Sequence, residues 1–154
     1  MKWNRKFTTF ALALGAFASV LPCAELCAEP VAELTQLTQS ANRFAREDAG
    51  KELLKYGDPR VPPVVISLIK SDPAKEVRRG VMYGLYGYSK PVDPAFVPLL
   101  VDVLQNDPEK DLRSAAAYVL GSSADARVIP HLAAASRTGE KNIRATALYS
   151  LGNL

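Results

Sequence analysis

Two short motifs recur at one period from residue 58 onward, and a chain that repeats a small unit has few folds open to it. The first reads Asp72-Pro-Ala-Lys-Glu-Val77-Arg78, then Asp107-Pro-Glu-Lys-Asp-Leu112-Arg113, then Thr138-Gly-Glu-Lys-Asn-Ile143-Arg144. Its aliphatic residues stand 35 and 31 residues apart. The second lies between its copies, running from Asp58 to Pro63, Asp93 to Pro98 and Asp125 to Pro130, five residues each time. Interleaved frames at a shared period describe a unit of two elements. Such a unit cannot bury its apolar face alone and stacks on its neighbours.

Each frame opens a helix. Aspartate is a good N-cap, and proline is tolerated in the first turn because the amide it lacks has no intrahelical partner there. The first helix of each pair is expected over Val61 to Ile69, Phe96 to Leu104 and Val128 to Ala135, and the second over Lys75 to Tyr86, Glu109 to Gly121 and Glu140 to Leu151. Asp72-Pro73, Asp107-Pro108 and Thr138-Gly139 are the turns within the pairs, and Gly121 and Gly152 fall where second helices stop. Leu53, Leu54, Tyr56 and Gly57 end a second helix of a degenerate leading repeat. Residues 29–42, rich in Thr, Gln, Ser and Ala, are either a capping helix or a loose lead-in.

Helical geometry sorts the second helices into a core side and an open side. With the frame aliphatic as position 0 and about 100° per residue, positions 0, 4 and 8 form one apolar stripe. They hold Val77/Val81/Leu85, Leu112/Ala116/Leu120 and Ile143/Ala147/Leu151. Position 6 falls at about 240°, nearly opposite a stripe centred near 40°. It holds a tyrosine every time: Tyr83, Tyr118 and Tyr149. Arg79 and Tyr86, at positions 2 and 9, share that side in the first repeat. Tyrosine offers rigid contact area and one hydroxyl, as binding surfaces require. The same rings could instead lean sideways and fill the grooves between helices.

The pattern Asp-x4-aliphatic-Arg, small residues, Leu-Gly, then Asp-x-Arg-aliphatic-aliphatic-Pro resembles the HEAT repeat, and in particular its short bacterial subtype in phycobilin lyase subunits. Asp107, Leu112, Arg113, Ala115, Ala116, Leu120, Gly121, Asp125, Arg127, Val128, Ile129 and Pro130 carry it most fully. Two departures stand out, Tyr86 where glycine is usual and Thr138 where the turn aspartate is usual. The resemblance implies an all-α, right-handed α-solenoid of stacked antiparallel helical hairpins, about three repeats plus the degenerate N-terminal one. It further implies that second helices line the concave face, where position 6 is usually variable and often charged. Arg78, Arg113 and Arg144 are then expected to pair with the turn aspartates Asp72 and Asp107 in a ladder along the stack.

The N-terminus has a different character. Lys2, Arg5 and Lys6 precede an apolar run from Phe7 to Leu21, the order of a secretory signal peptide. That run falls short of the roughly twenty residues of a membrane-spanning helix. Cleavage is expected after Ala28, with Ala24 and Ala18 as alternatives and retention as an anchor as another, because Glu29-Pro30 begins the polar, non-helical stretch of a mature terminus. The organisation is thus 1–28 signal, 29–57 lead-in or capping helices, and 58–154 repeats, with export to the periplasm or the extracellular side. The lysines and arginines of the whole chain outnumber its acids by 19 to 16, and the signal holds Lys2, Arg5 and Lys6 against Glu25. The mature part is close to neutral, without the basic excess of a nucleic-acid partner.

Chemistry-bearing residues are sparse. Cys23 and Cys27 both precede the cleavage point, and Pro22 and Leu26 stand where a lipid-modified cysteine would follow a small residue. His131 is the single histidine, too few for a zinc site, and reads as a surface or interhelical residue. No phosphate loop or paired-cysteine motif is present. The sequence therefore predicts a non-enzymatic interaction module without cofactor or metal, holding a protein or peptide on Tyr83, Tyr118, Tyr149, Arg79 and Tyr86. The alternatives are a lyase-like or chaperone role on a chromophore or cofactor, implied by the subtype, and a terminal piece or subunit of a larger assembly. Leu151-Gly152-Asn153-Leu154 falls just before a next helical pair would start, so the last repeat offers a face for end-to-end association.

Overall fold

A computed structural model describes the backbone of residues 23–88 and 92–154, and the side chains of 30–87 and 92–154. The basic start, the apolar run and the side chains of both cysteines lie outside these residues. Among the described residues eight α-helices succeed one another: α1 Cys23–Leu37, α2 Arg43–Leu53, α3 Val61–Ser71, α4 Lys75–Tyr88, α5 Val97–Asn106, α6 Lys110–Leu120, α7 Ile129–Thr138 and α8 Lys141–Leu151. Among them there is no strand. Consecutive helices pair as hairpins, α1 with α2 through to α7 with α8, and the hairpins stack into an α-solenoid.

Helix entry is more elaborate than capping by aspartate alone. Asp93 and Asp125 cap short 3-10 turns, Pro94–Phe96 and Ala126–Val128, by accepting the amides of Ala95 and Arg127 at 2.8 and 2.9 Å. α5 and α7 begin directly after these turns, with Phe96 and Val128 at the N-cap positions and no side-chain cap there. Asp58, Asp72 and Asp107 likewise each accept an amide two residues on. The prolines occupy the first turn of α3, α5 and α7, where a missing donor leaves no bond unmade.

Positions 0 and 4 of the repeat are buried in α4, α6 and α8, as are Leu85 and Leu120 at position 8. Leu151, at position 8 of α8, is half-buried. Gly121 and Gly152 do stand at the ends of α6 and α8, as expected, both with right-handed backbone. Close approach explains Gly121 instead: a Cβ there would lie 2.7 Å from that of Ser150 on α8. Gly50 plays the same part in α2, where a Cβ would meet Val81 at 2.7 Å and Leu68 at 2.8 Å. The left-handed residue falls later, at Ala124, with φ 52°.

The first hairpin corrects one expectation. Glu29 and Pro30 do not begin a non-helical stretch but lie inside α1, and of the two readings for residues 29–42 the helix is the one that forms up to Leu37. Burial of Val31 in the core, with Leu34 packed against it, gives that segment an apolar side to dock.

Second helices pack on one another along the whole stack, α2 on α4, α4 on α6 and α6 on α8, whereas first helices touch each other little. The second helices α2, α4, α6 and α8 thus form the closely packed face of the stack, the one expected to be concave.

Candidate partner-binding face

Two rows of side chains run across this face, and both arise from residues that recur in the repeat. The first is a ladder of arginines. Arg46 on α2 holds Asp72 with two bonds, Nε to Oδ2 at 2.6 Å and Nη2 to Oδ1 at 3.0 Å, and both side chains are largely buried. Arg78 on α4 reaches Asp107 at 3.3 Å, and Arg113 on α6 reaches Glu140 at 2.9 Å. Each arginine thus grips the turn of the following hairpin. Arg46, Arg113 and Arg144 also donate to carbonyls of the turn before their own helix, those of Ser40, Asp107 and Gly139. Of the three arginines expected to pair with the turn aspartates, Arg78 alone does so, with Asp107. Asp72 is held by Arg46, Arg113 takes Glu140, and Arg144 bonds to the Gly139 carbonyl and, among the described residues, to no carboxylate, so Arg46 and Glu140 are members that the motif comparison missed. Ala45-Arg46 stands 32 residues before Val77-Arg78, so the frame was there to find, hidden by an alanine in the aliphatic position.

The ladder sets the electrostatics of the turns. Burial pushes the Asp72 carboxyl upward, but the Arg46 hydrogen bonds, the Ala74 amide and the charges of Arg46 and Arg78 outweigh it and hold the group below the usual carboxylate range. Outside the ladder, the Arg60 side chain and amide bring Asp58 down to about 2.

The second row is aromatic. Tyr86 and Tyr118 have ring centroids 4.4 Å apart with a tilt of 41°, and Tyr118 and Tyr149 are stacked at 5.9 Å and 18°. The column expected from position 6 therefore forms with Tyr86, not Tyr83, at its head. Tyr86 occupies position 9, where the later repeats have Gly121 and Gly152, and position 9 faces the following helix. Its ring takes the place beside Tyr118 that Tyr83 would have filled. A hydrogen bond with the Tyr86 hydroxyl, then desolvation, then the charges that Tyr86 and Tyr149 would carry, raise the Tyr118 phenol to about 12.

Tyr83 stands apart, 50% exposed, and shares a polar cleft with Arg79, Lys110, Asp111, Ser114 and Glu140. Arg79 lies 4.0 Å from Asp111 there, and both are exposed. The five candidate residues thus divide into a stacked column near the C-terminal ends of the inner helices and a charged cleft nearer their N-terminal ends. His131 sits between α5 and α7, its Nδ1 2.9 Å from Gln105 Nε2, as an interhelical residue. Among the described residues, no group of three or more His, Cys, Asp or Glu side chains could hold a metal ion, and no helix is long and apolar enough to cross a membrane.

Residues 93–154 match the family model of HEAT repeats. This part of the chain is built of HEAT repeats. No curated protein matches the chain. The matched segment holds the α5/α6 and α7/α8 hairpins, and the same ladder carries the arrangement back to Arg46 on α2. HEAT repeats generally mediate protein–protein contacts and typically serve as non-enzymatic scaffolds. A HEAT array uses its repeated contacts for stability, which leaves the open positions of its inner helices free for recognition.

Proposed function

We propose that this protein is an exported interaction module that binds a protein or peptide along its concave face. The observation that carries the reading is the Tyr86–Tyr118–Tyr149 column, which spans three successive hairpins on their inner side. Those rings lie outside the fully buried core: Tyr149 is 58% exposed, Tyr118 is half-buried, and Tyr86 is half-buried against the core's edge. Three aligned aromatic rings edged with hydroxyls offer contact area at small entropic cost, together with hydrogen bonds to an extended backbone. The Arg79–Tyr83 cleft beside them supplies charge of both signs for the partner's flanks.

Export rests on the order of the N-terminal residues and gains support from α1. Pro30 is the eighth residue of that helix and lacks the amide that would bond to Leu26. Cleavage after Ala28 would put it in the first turn, where the lack is harmless. Intact mass of the protein from the producing cell tests this, with a chain beginning at Glu29 expected and the uncleaved chain in the cytoplasm as the contrary result. For binding, Tyr86, Tyr118 and Tyr149 are changed together to Ser and partner capture is measured alongside the melting temperature. Loss of capture with retained helix is expected. Unchanged capture would place recognition elsewhere.

A further inference from the structure

The cleft beside the tyrosine column has a chemistry of its own. Position 2 of the repeat holds Arg79 on α4 but Ser114 on α6, so a long side chain borders a hollow beside a short one. That hollow encloses about 230 Å3, less than the roughly 300 to 1,000 Å3 of pockets for drug-sized ligands, and suits a single residue. Donors outnumber acceptors on its walls. Lys110, exposed at the start of α6, has no hydrogen-bond or ion-pair partner among the described residues, and neither the Tyr83 hydroxyl nor the Asn142 side-chain amide has one. The Arg79 guanidinium lies 4.0 Å from Asp111, beyond hydrogen-bond reach. Of the two carboxylates, Glu140 is already bonded to Arg113 of the ladder at 2.9 Å. Ser114 is engaged as well: Thr146 Oγ1 donates to the Asn142 carbonyl at 2.9 Å, so in the 3.1 Å contact between the two hydroxyls Ser114 is the donor. Two cations and two neutral donors therefore face Asp111 alone.

That surplus of one positive charge defines the ligand. A carboxylate brings one negative charge and two acceptor oxygens, and its bonds to Lys110 and Arg79 would be charge-assisted. A phosphate dianion would exceed the surplus and face Asp111 and Glu140 unbalanced. Ile143 and the Tyr83 ring line the same hollow and offer apolar contact to the carbons next to the charged group. Ser114 and Tyr118 stand four residues apart on α6, roughly 6 Å along the helix, a distance that a glutamate side chain or about two residues of extended chain can span. We infer that the Arg79–Lys110 cleft takes a carboxylate of the partner held on the tyrosine column, from an acidic side chain or a chain end. Its place within that partner rests on the reading of the column, whereas the affinity of the cleft for a carboxylate does not.

Small probes titrated into the isotope-labelled full chain test the cleft alone, because they are too short to lie along the column as well. They are N-acetylvaline as a chain end, N-acetylglutamic acid α-amide as an acidic side chain, N-acetylvalinamide as a neutral control, and inorganic phosphate. Saturable shifts of the Tyr83, Ser114 and Asn142 amide signals are expected with one or both carboxylates, and the tighter of the two identifies the source. Lys110→Gln and Arg79→Gln should each weaken that binding about tenfold, and Asp111→Asn, which removes the remaining negative charge, should strengthen it. All three side chains are exposed, so the fold is kept. No saturable shift with either carboxylate, equal binding of N-acetylvalinamide, tighter binding of phosphate, or carboxylate binding that survives both Lys110→Gln and Arg79→Gln would overturn the proposal. Unchanged partner capture by the Tyr86, Tyr118 and Tyr149 variant would instead remove the column and leave the carboxylate site of the cleft standing.

Discussion

Single residues carry much of what distinguishes this stack from a generic one. Tyr118 touches both neighbouring rings of its column, and Tyr118→Ala should lower stability by about 1 to 2 kcal/mol, while Tyr83→Ala, on the open side, should change it by less than about 0.5 kcal/mol. Urea melts of the two variants separate these outcomes. Ultraviolet titration gives a second test: one tyrosine should ionise last, near 12, and Tyr86→Phe should bring it back towards the ordinary range. Asp72 adds a pH signature. Its folded pKa lies below its unfolded one, so the stability it contributes is complete above the ordinary aspartate value of about 4 and is lost as the pH falls through that value towards the depressed one. Asp72→Asn should remove that part of the acid sensitivity, leaving the share of the other lowered carboxyls such as Asp58. Arg46→Ala, which leaves the largely covered Asp72 carboxylate without its two hydrogen bonds, should destabilise the fold more than Arg113→Ala, whose partner Glu140 is exposed.

Helix identity was legible because Asp, Pro and the 35- and 31-residue spacing act locally on the backbone. The manner in which helices start and stop was less so. Whether an aspartate caps an α-helix or a 3-10 turn leading into one depends on where the next helix must dock, which no short motif encodes. The reason for Gly121 was also hidden, since the Ser150 Cβ that forbids a side chain belongs to another hairpin. Gly121→Ala should accordingly cost about 1 to 3 kcal/mol despite glycine's poor helix propensity. Ala124→Gly, by contrast, should stabilise by about 0.5 to 1 kcal/mol, since a left-handed backbone is strained for alanine and free for glycine. Thermal melts of both variants would show opposite signs. The tyrosine column was half legible: the period identified Tyr118 and Tyr149, but that Tyr86 displaces Tyr83 depends on its facing the next helix in place of a glycine.

At the scale of the molecule, the repeat determined the architecture, and close packing of second helices gave it one crowded face. What the repeat could not convey is asymmetry. The first described hairpin carries an uncharged turn residue, Ser40, where later ones carry Asp72 and Asp107, and the last one carries Thr138 there, so the hairpins differ in chemistry although they share a fold. The claim on which the functional reading depends is that a partner lies along the inner row. A photo-crosslinking amino acid placed at position 118 on α6, compared with one at position 67 on the outer side of α3, reads this directly in the producing cell. A crosslinked partner from position 118 and none from position 67 is the predicted result, with the crosslink reduced when Tyr86 and Tyr149 are changed to Ser. Crosslinks from position 67 alone would contradict it and move recognition to the convex side.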